Sequence, residues 1–274
     1  MSRLLNSYYP TTQILLNSKY ATQYVNNLTS NCVYSLNSPI DKPYFHQMLI
    51  TIQNVNIPHS YYNINSNNNT LNYTMNSINY TFTMTTNNYT INDLVSYINS
   101  DMGNNFTVSY SNSTNKLTFT NTTYDFTFKY TSICVDLLGL NNTSNQTSSS
   151  KILISSRVCD LSYTKSLYIN CNLNINTIDS RKALSYINTL VKISVQLNYL
   201  SIETYENYRG YSNLLFEQKI TNLNIFITDD NNNNIDLNGC NWDCSIMIDY
   251  IYNENMEGKI PDHLLPSTNN DITK

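Results

Sequence analysis

Alternation of apolar and polar residues constrains the fold of this chain more than any other feature of its sequence. Residues 222–252 read NLNIFITDDNNNNIDLNGCNWDCSIMIDYIY, with an alternating run on each side of a loop of Asp and Asn. A period of two is typical of a β-strand with one buried face, and Asn and Asp favour turns. The segment therefore predicts two strands joined by a turn, and it contains Trp242, the only tryptophan of the chain.

Composition limits the class of protein. Charged residues make up only 12% of the 274 residues, about half of the usual share, whereas 24 residues are tyrosine. The net charge is −4 and the longest basic run is the pair Arg181 and Lys182. We therefore expect no nucleic-acid site, because phosphate binding needs clustered cations. No apolar run approaches about 18 residues, which predicts no membrane span.

Further alternating runs predict a mainly β chain. Residues 1–28 have no clear period and are interpreted as an arm. We predict eight core strands, at 32–37, 48–58, 151–156, 166–173, 189–197, 213–220, 222–228 and 242–252. In the second strand, Leu49, Thr51, Gln53, Val55 and Ile57 are expected on one face and Met48, Ile50, Ile52 and Asn54 on the other. Eight short strands with long connections favour a jelly roll.

An Asn- and Thr-rich stretch interrupts these strands and predicts a small α+β unit. Thr90 and Asp93 indicate the start of a helix and Gly103 its end. The apolar face of that helix is expected to contain Ile91, Leu94, Val95, Ile98 and Met102. Short strands are predicted around the helix at 70–75, 79–85, 106–111, 116–120 and 125–130, and a short second helix at 133–140 that stops at Gly139.

The predicted architecture is a single jelly roll, an eight-stranded antiparallel sandwich, with an inserted α+β domain. Its expected divisions are an N-terminal arm (1–28), the first part of the jelly roll (29–60), the insertion (61–148), the second part (149–252) and a C-terminal tail (253–274).

Metal sites are disfavoured by the sequence. Four residues of the Asp and Asn loop and the segment after it fall at positions 1, 3, 5 and 7 of a calcium-loop pattern: Asp230, Asn232, Asn234 and Asp236. Position 6 is Ile235 where glycine is needed, and position 12 is Asn241 instead of Glu, so a turn is favoured. Cys240 and Cys244 would lie about 13 Å apart on an extended strand, too far to share a zinc ion. With no secretory signal at the start, we expect the six dispersed cysteines to be reduced.

Enzymatic activity is also disfavoured. The chain has no G-x-S-x-G or H-E-x-x-H motif, and five glycines leave little room for a phosphate-binding loop. Glu203 and Glu206 are interpreted as a solvated strand end or loop. We expect no catalysis, no metal and no cofactor.

Several segments together carry a family resemblance. They are SYYNIN at 60–65, the helix–hairpin–LLGL pattern of the insertion, and IDLNG at 235–239 followed by Trp242. The chain resembles the penton (vertex) or minor capsid proteins of virophages and related large double-stranded DNA viruses. In that family an acidic turn and an I/L-D-x-N-G-x-x-W segment precede the last strand. The matching residues here, taken as a fold signature, are Asp229, Asp230, Asp236, Asn238, Gly239 and Trp242.

The resemblance implies a homopentamer that closes the five-fold vertices of an icosahedral virion. It also implies contact with neighbouring major capsid protein hexons, with other minor capsid proteins as further candidates, and assembly in the host cytoplasm. The Asp and Asn loop becomes the turn of a closing hairpin, and Trp242 anchors the sheet packing. The outer face of the last strand, with Asp243, Ser245 and Asp249, is expected to meet solvent or a neighbour.

A second interpretation is a virion-surface attachment protein that binds a receptor or glycan through residues 61–148. A trimer and glycan binding by the isolated insertion would favour it over the vertex protein.

Overall fold

The computed structural model describes residues 11–44, 46–162, 164–182 and 185–252. In chain order its strands are β1 (Thr12–Asn17), β2 (Gln23–Tyr24), β3 (Asn31–Asp41), β4 (His46–Pro58), β5 (Thr70–Met75), β6 (Ile78–Thr83), β7 (Phe106–Ser111), β8 (Lys116–Asn121), β9 (Phe126–Phe128), β10 (Gln146–Thr147), β11 (Ile152–Ile154), β12 (Ser166–Cys171), β13 (Thr177–Asp179), β14 (Ser185–Ile187), β15 (Thr189–Ser194), β16 (Ile202–Glu206), β17 (Asn213–Leu215), β18 (Lys219–Thr228) and β19 (Asp243–Tyr252). An α-helix, α1 (Ile91–Asp101), and three 3-10 helices (Ser18–Tyr20, Val25–Asn27, Ser180–Lys182) complete the elements. The chain is mainly β, and every sheet is antiparallel.

The chain divides into two compact units. Unit 1 comprises Met1–His59 and Ser166–Lys274, and unit 2 comprises Ser60–Lys165. Unit 2 is one continuous segment between β4 and β12. It runs further than the expected insertion, because β11 pairs with β8 of unit 2. The prediction of residues 151–156 as a core strand of the larger domain is therefore wrong.

Unit 1 contains two larger sheets. One has the strand order β1-β19-β4-β16, with β17 also paired to β4, and the other has the order β15-β12-β18-β3-β2. The strands β13 and β14 form a separate pair. Residues of β1, predicted as part of an arm, form an edge strand, and β16 lies where a loop or strand end was predicted. The run predicted as one strand at 213–220 is divided between β17 and β18.

The last two strands belong to different sheets. The strand β18 pairs with β12 and β3, whereas β19 pairs with β1 and β4. Residues 229–242 therefore cross from one sheet to the other, and the prediction of a closing hairpin is wrong. The sequence contains a tight turn here, but that turn lies inside the crossover.

A β-bulge in β4 changes which residues share a face. Ser245 of β19 is opposite Asn54 while Ile246 is opposite Ile52, so no residue of β19 lies opposite Gln53. The extra residue shifts the alternation by one position. Ile50 and Ile52 before the bulge and Val55 and Ile57 after it are consequently all buried, contrary to the prediction of two separate faces.

The two larger sheets of unit 1 share a buried apolar core. The core includes Ile50, Ile52, Val55, Ile57, Leu167, Ile169, Leu223, Ile225, Ile227, Ile246 and Ile248. Cys32 of β3 and Cys244 of β19 belong to different sheets but are close enough for their thiols to interact electrostatically, which shows that the two sheets face each other there. Ser245 and Asp249 are also buried within the chain, so the expectation that the second face of β19 meets solvent or a neighbour is wrong for these two residues. Thr11 donates a hydrogen bond to Asp249 at 2.7 Å.

Unit 2 has its own sheets and core. Its strand orders are β10-β9-β5-β6 and β11-β8-β7. Asn76 and Ser77 both have positive φ, as a two-residue hairpin between β5 and β6 requires. The helix α1 starts with the predicted capping box of Thr90 and Asp93 and buries Leu94 and Ile98. The core is rich in aromatic rings, among them Tyr73, Phe106, Phe119, Phe126 and Phe128.

The LLGL segment forms hydrogen-bonded turns, so the prediction of a helix at 133–140 is wrong. Leu138 N–H donates to Cys134 O at 3.0 Å and Leu140 N–H to Val135 O at 2.8 Å. Gly139 has a φ of +68°, and a Cβ there would overlap the carbonyl oxygens of Arg157 and Val158. Close approach of two backbone segments therefore requires glycine at this position. In the described part of the chain no helix is long and apolar enough to cross a membrane.

Candidate functional site

The signature residues lie in the crossover between β18 and β19, and Asp229 organises its first turn. The Asp229 carboxylate is buried and accepts hydrogen bonds from the N–H groups of Asn231 at 2.9 Å and Asn233 at 2.8 Å. Its own N–H donates to Asn233 O at 2.9 Å. Asn232 has a φ of +64°, which Asn tolerates better than most residues. The acidic loop is therefore a turn that satisfies its own backbone.

Asp230 has a different role from its neighbour. Its Oδ2 accepts a hydrogen bond from the N–H of Ser166 at 3.0 Å. Ser166 is the first residue of β12, at the point where the chain returns to unit 1. Asp230 thereby fixes the crossover to the first residue of the returning strand.

The IDLNG segment forms a second turn. Asp236 Oδ1 accepts from Asn238 N–H at 2.8 Å, and Asn238 and Gly239 have φ values of +50° and +78°. Cys240 N–H donates to Leu237 O at 2.9 Å. Leu237 is fully buried, whereas Asp236 and Asn238 are exposed. The polar residues therefore shape the turn while an aliphatic side chain between them anchors it to the core.

Trp242 joins the crossover to the beginning of the chain. Its indole N–H donates to Thr29 O at 2.7 Å, its backbone N–H to Ser18 Oγ at 3.0 Å, and its carbonyl oxygen accepts from Ser18 N–H at 2.9 Å. The side chain is 1% exposed. Ser30 Oγ–H also donates to Ile235 O. These contacts hold the 18–30 segment against the crossover, more than 200 residues away in sequence.

The crossover does not gather ligands for a cation. Within the described ranges, no group of three or more His, Cys, Asp or Glu side chains could hold a metal ion. The six cysteines are free thiols. Cys240 is exposed and Cys244 is buried. Burial raises the pKa of Cys32 to about 11 and that of Cys171 to about 12, which keeps both thiols protonated near neutral pH.

Sequence reasoning missed a second polar cluster on unit 1, centred on Arg181. Its guanidinium lies 3.3 Å from the centroid of the Tyr168 ring and 2.7 Å from Asp179 Oδ2. It also donates a hydrogen bond to Asp229 O at 3.3 Å, which connects the cluster to the turn that Asp229 organises. The Arg181 hydrogen bond holds the pKa of the Asp179 carboxyl below its usual value. A cleft of about 500 Å³ lies beside it, lined by residues that include Tyr168, Asp179, Lys192, Tyr205 and Tyr211.

Glu203 is buried, so its prediction as a solvated residue is wrong. Its Oε1 accepts the N–H groups of Gln196 at 3.1 Å and Leu197 at 2.7 Å. His59 Nδ1 lies 4.0 Å from the same oxygen. The carboxylate therefore holds the loop between β15 and β16. No signal in the sequence indicates this, because the partner groups are backbone N–H groups.

Comparison with known proteins finds structural likeness but no sequence relative. No protein-family model matches the chain, and no curated protein matches it. Among solved structures, the chain is similar to the crystal structure of the selenomethionine-labelled mavirus penton protein. The TM-score is 0.44 and the identity 11%, with 88% of this chain and 100% of that chain covered. At this TM-score the likeness does not establish a shared fold.

Proposed function

We propose that this chain is a structural capsid protein, that unit 1 is a single jelly roll, and that five copies form a ring at the vertices of an icosahedral virion. The strand order of unit 1 carries the proposal. Eight strands of the two larger sheets can be renumbered 1 to 8 in chain order: β1, β3, β4, β12, β15, β16, β18 and β19. In this numbering one sheet has the strand order 1-8-3-6 and the other has the order 5-4-7-2. Two Greek keys folded into a sandwich produce this order, which is the jelly-roll topology of many capsid proteins.

The signature residues support the choice of a capsid protein among the functions that jelly rolls have. Lectins and cupins share the topology, so the fold alone does not decide the function. The resemblance to penton proteins rests on residues that define the crossover, including Asp229, Asp236, Gly239 and Trp242. The hydrogen bonds of the two aspartates and of Trp242, and the positive φ of Gly239, give each of them a local role in joining the last strand to the rest of unit 1.

The partners follow from the same proposal. Unit 1 would contact a second copy on each side in the ring, together with neighbouring major capsid protein hexons and other minor capsid proteins. The protein would be a component of the virion, assembled in the cytoplasm of the infected cell. The C-terminal tail at 253–274, which lies outside the described residues, would contact neighbouring capsomers or the capsid interior.

A second role is proposed for unit 2. This unit has a separate hydrophobic core, as expected of a domain that can fold by itself and be presented to a partner. Receptor or glycan attachment is the candidate activity. Binding of the isolated segment 60–165 to a glycan array or to host cells tests it, with unit 1 alone as the control.

Native mass spectrometry of the purified full chain tests the ring. The expected particle has about five times the mass of one chain, 31.6 kDa. A trimer would favour the attachment role instead. If the solution species is a monomer, imaging of intact particles that carry an epitope tag on the chain decides. Label confined to the five-fold vertices is expected, and vertices without label would contradict the proposal.

A further inference from the structure

The loop between β15 and β16 presents an uncharged aliphatic surface, called here the aliphatic knob and consisting of Leu197, Leu200 and Ile202. Their exposed fractions are 47%, 78% and 56%. Residues 195–202, VQLNYLSI, contain no charged side chain. Three strongly exposed aliphatic residues within six positions are more than the scattered single residues expected on an ordinary surface.

The knob is held in place although it is exposed. Glu203 accepts hydrogen bonds from the N–H groups of Gln196 and Leu197 in the loop. Leu200 N–H donates to His59 O at 2.8 Å, and His59 N–H donates to Ser201 O at 2.8 Å. Leu200 has a φ of +68°, a left-handed conformation that costs a leucine about 1 kcal/mol or more. A strained, anchored loop that exposes leucine is typical of a contact surface that is organised before it binds.

A second surface, with Lys19 as its one charged residue, lies at the opposite edge of the sandwich. This surface, called here the β1–β2 flank, consists of Leu15, Tyr20 and Tyr24, with exposed fractions of 74%, 75% and 37%. The strand β1 is one edge of the sheet whose other edge is β16, and β2 and β15 are the two edges of the second sheet. Lys19 is the only charged residue in the sequence of residues 11–31.

The two surfaces match each other in chemistry. The knob is aliphatic and the flank combines Leu15 with two tyrosines. Only the charge of Lys19 would be desolvated if the two surfaces met, whereas a highly charged partner would leave its own charges unpaired. Because the surfaces lie on opposite edges of one subunit, joining them is a head-to-tail contact. Such a contact repeats from copy to copy and closes a ring when the rotation fits.

We infer that the aliphatic knob of one copy packs against the β1–β2 flank of a second copy, and that this is the contact that builds the ring. The inference rests on the proposed function and identifies the surface that the proposed function leaves open.

Two substitutions test the contact. Leu200→Asp puts a charge in the knob, at a backbone conformation that Asp tolerates well. Leu15→Asp puts a charge in the flank. The matched control is Ile78→Asp, which alters a residue of unit 2 that is 52% exposed. Circular dichroism and Trp242 fluorescence check that each variant is folded. If either Asp variant is unfolded, Leu200→Asn and Leu15→Thr replace the pair.

The variants are compared with the wild type by native mass spectrometry, alone and mixed. Each knob or flank variant alone is expected to be monomeric, with association at least about tenfold weaker, while the control remains a pentamer. An equimolar mixture of the two variants is expected to stop at two chains, because each variant retains one intact surface. If the wild type is monomeric in solution, incorporation into purified particles is measured instead, with loss expected for both variants and not for the control.

The outcomes separate this inference from the proposed function. Pentamers formed by both Asp variants, or their unchanged incorporation into particles, would overturn the inference and leave the vertex role intact. Absence of the wild-type chain from the vertices would overturn the vertex role itself.

Discussion

Trp242 combines two contributions to stability in a single side chain. The ring is almost completely buried, and its N–H donates to Thr29 O at 2.7 Å, a stronger hydrogen bond than the one that the same oxygen accepts from the Cys32 thiol. Phenylalanine would keep most of the apolar contact and remove the donor. We expect Trp242→Phe to lower the free energy of unfolding by about 1–3 kcal/mol, measured by urea denaturation with far-UV circular dichroism. Tyr208→Phe, at a side chain that is 87% exposed, is the control and should change it by less than about 0.5 kcal/mol.

The cysteines differ enough in exposure for a chemical test. Cys240 is exposed, whereas Cys32, Cys134, Cys171 and Cys244 are buried, and burial raises the pKa of each of these four thiols. The half-buried Cys159 also has its pKa raised, to about 12, by burial. A disulfide reagent at pH 8 is expected to modify a single thiol rapidly in the folded protein. Cys240→Ser should abolish that fast phase, and fast modification of several thiols would contradict the packing described.

The Arg181 and Asp179 pair predicts a specific pH dependence. Because the pKa of Asp179 is lowered by Arg181, the carboxylate stabilises the fold fully above its unfolded pKa of about 3.9, and the contribution disappears as the pH falls through the lower folded value. We expect Asp179→Asn to lower the unfolding free energy by about 2 kcal/mol at pH 7. The difference from the wild type should shrink in urea titrations below about pH 4. Asp41→Asn, in a largely exposed pair with Lys219, is the control, with a change of less than about 0.5 kcal/mol expected.

At the scale of elements, the LLGL turn depends on one glycine. Alanine at position 139 would face both a left-handed φ and overlap with the backbone at Arg157 and Val158. Gly103, after α1, has a similar φ of +61° but open space around it. We expect Gly139→Ala to destabilise unit 2 by about 3 kcal/mol or more and Gly103→Ala by about 1 kcal/mol. Thermal unfolding of the segment 60–165 measures both, and equal effects would show that the close approach does not matter.

Local elements could be predicted from the sequence because their causes are local. The capping box at Thr90, the helix α1 and the hairpin of β7 and β8 depend on residues a few positions apart. Strand partners depend on residues far apart, so neither the crossover after β18 nor the edge strand β1 was visible. The bulge at Gln53 shows the same limit, since the alternation in β4 contains no sign of a residue that the β19 register skips.

The candidate site was likewise only partly predictable. A family resemblance selected Asp229, Asp236 and Trp242, but it could not supply their partners. These are backbone groups two residues away for the two aspartates and the distant Thr29 for Trp242. The roles of Arg181 and Glu203 were missed, because neither the Arg181 and Lys182 pair nor the spacing of Glu203 and Glu206 indicates a buried polar group. Their roles depend on burial and on partners brought together by the fold.

At the scale of the whole molecule, two hydrophobic cores imply two folding units. The buried cluster of unit 2 draws its residues from positions 64–153, and Trp242 lies in unit 1. Fluorescence of the single tryptophan therefore reports unit 1, while far-UV circular dichroism reports both. A unit with its own core can fold by itself when few contacts cross its boundary.

Two deletions test this division against the boundaries expected from the sequence. Replacing residues 60–165 by a Gly and Ser linker of about eight residues should leave a soluble unit 1 with native-like tryptophan emission and cooperative unfolding. Deleting only residues 61–148 retains β11 without its partner β8, which leaves Leu153 without the core that buries it. That variant should be less soluble, because an unpaired apolar strand promotes association. An unfolded product of the larger deletion would mean that unit 1 requires unit 2 to fold, whereas equal behaviour of the two deletions would mean that residues 149–165 have no structural tie to unit 2.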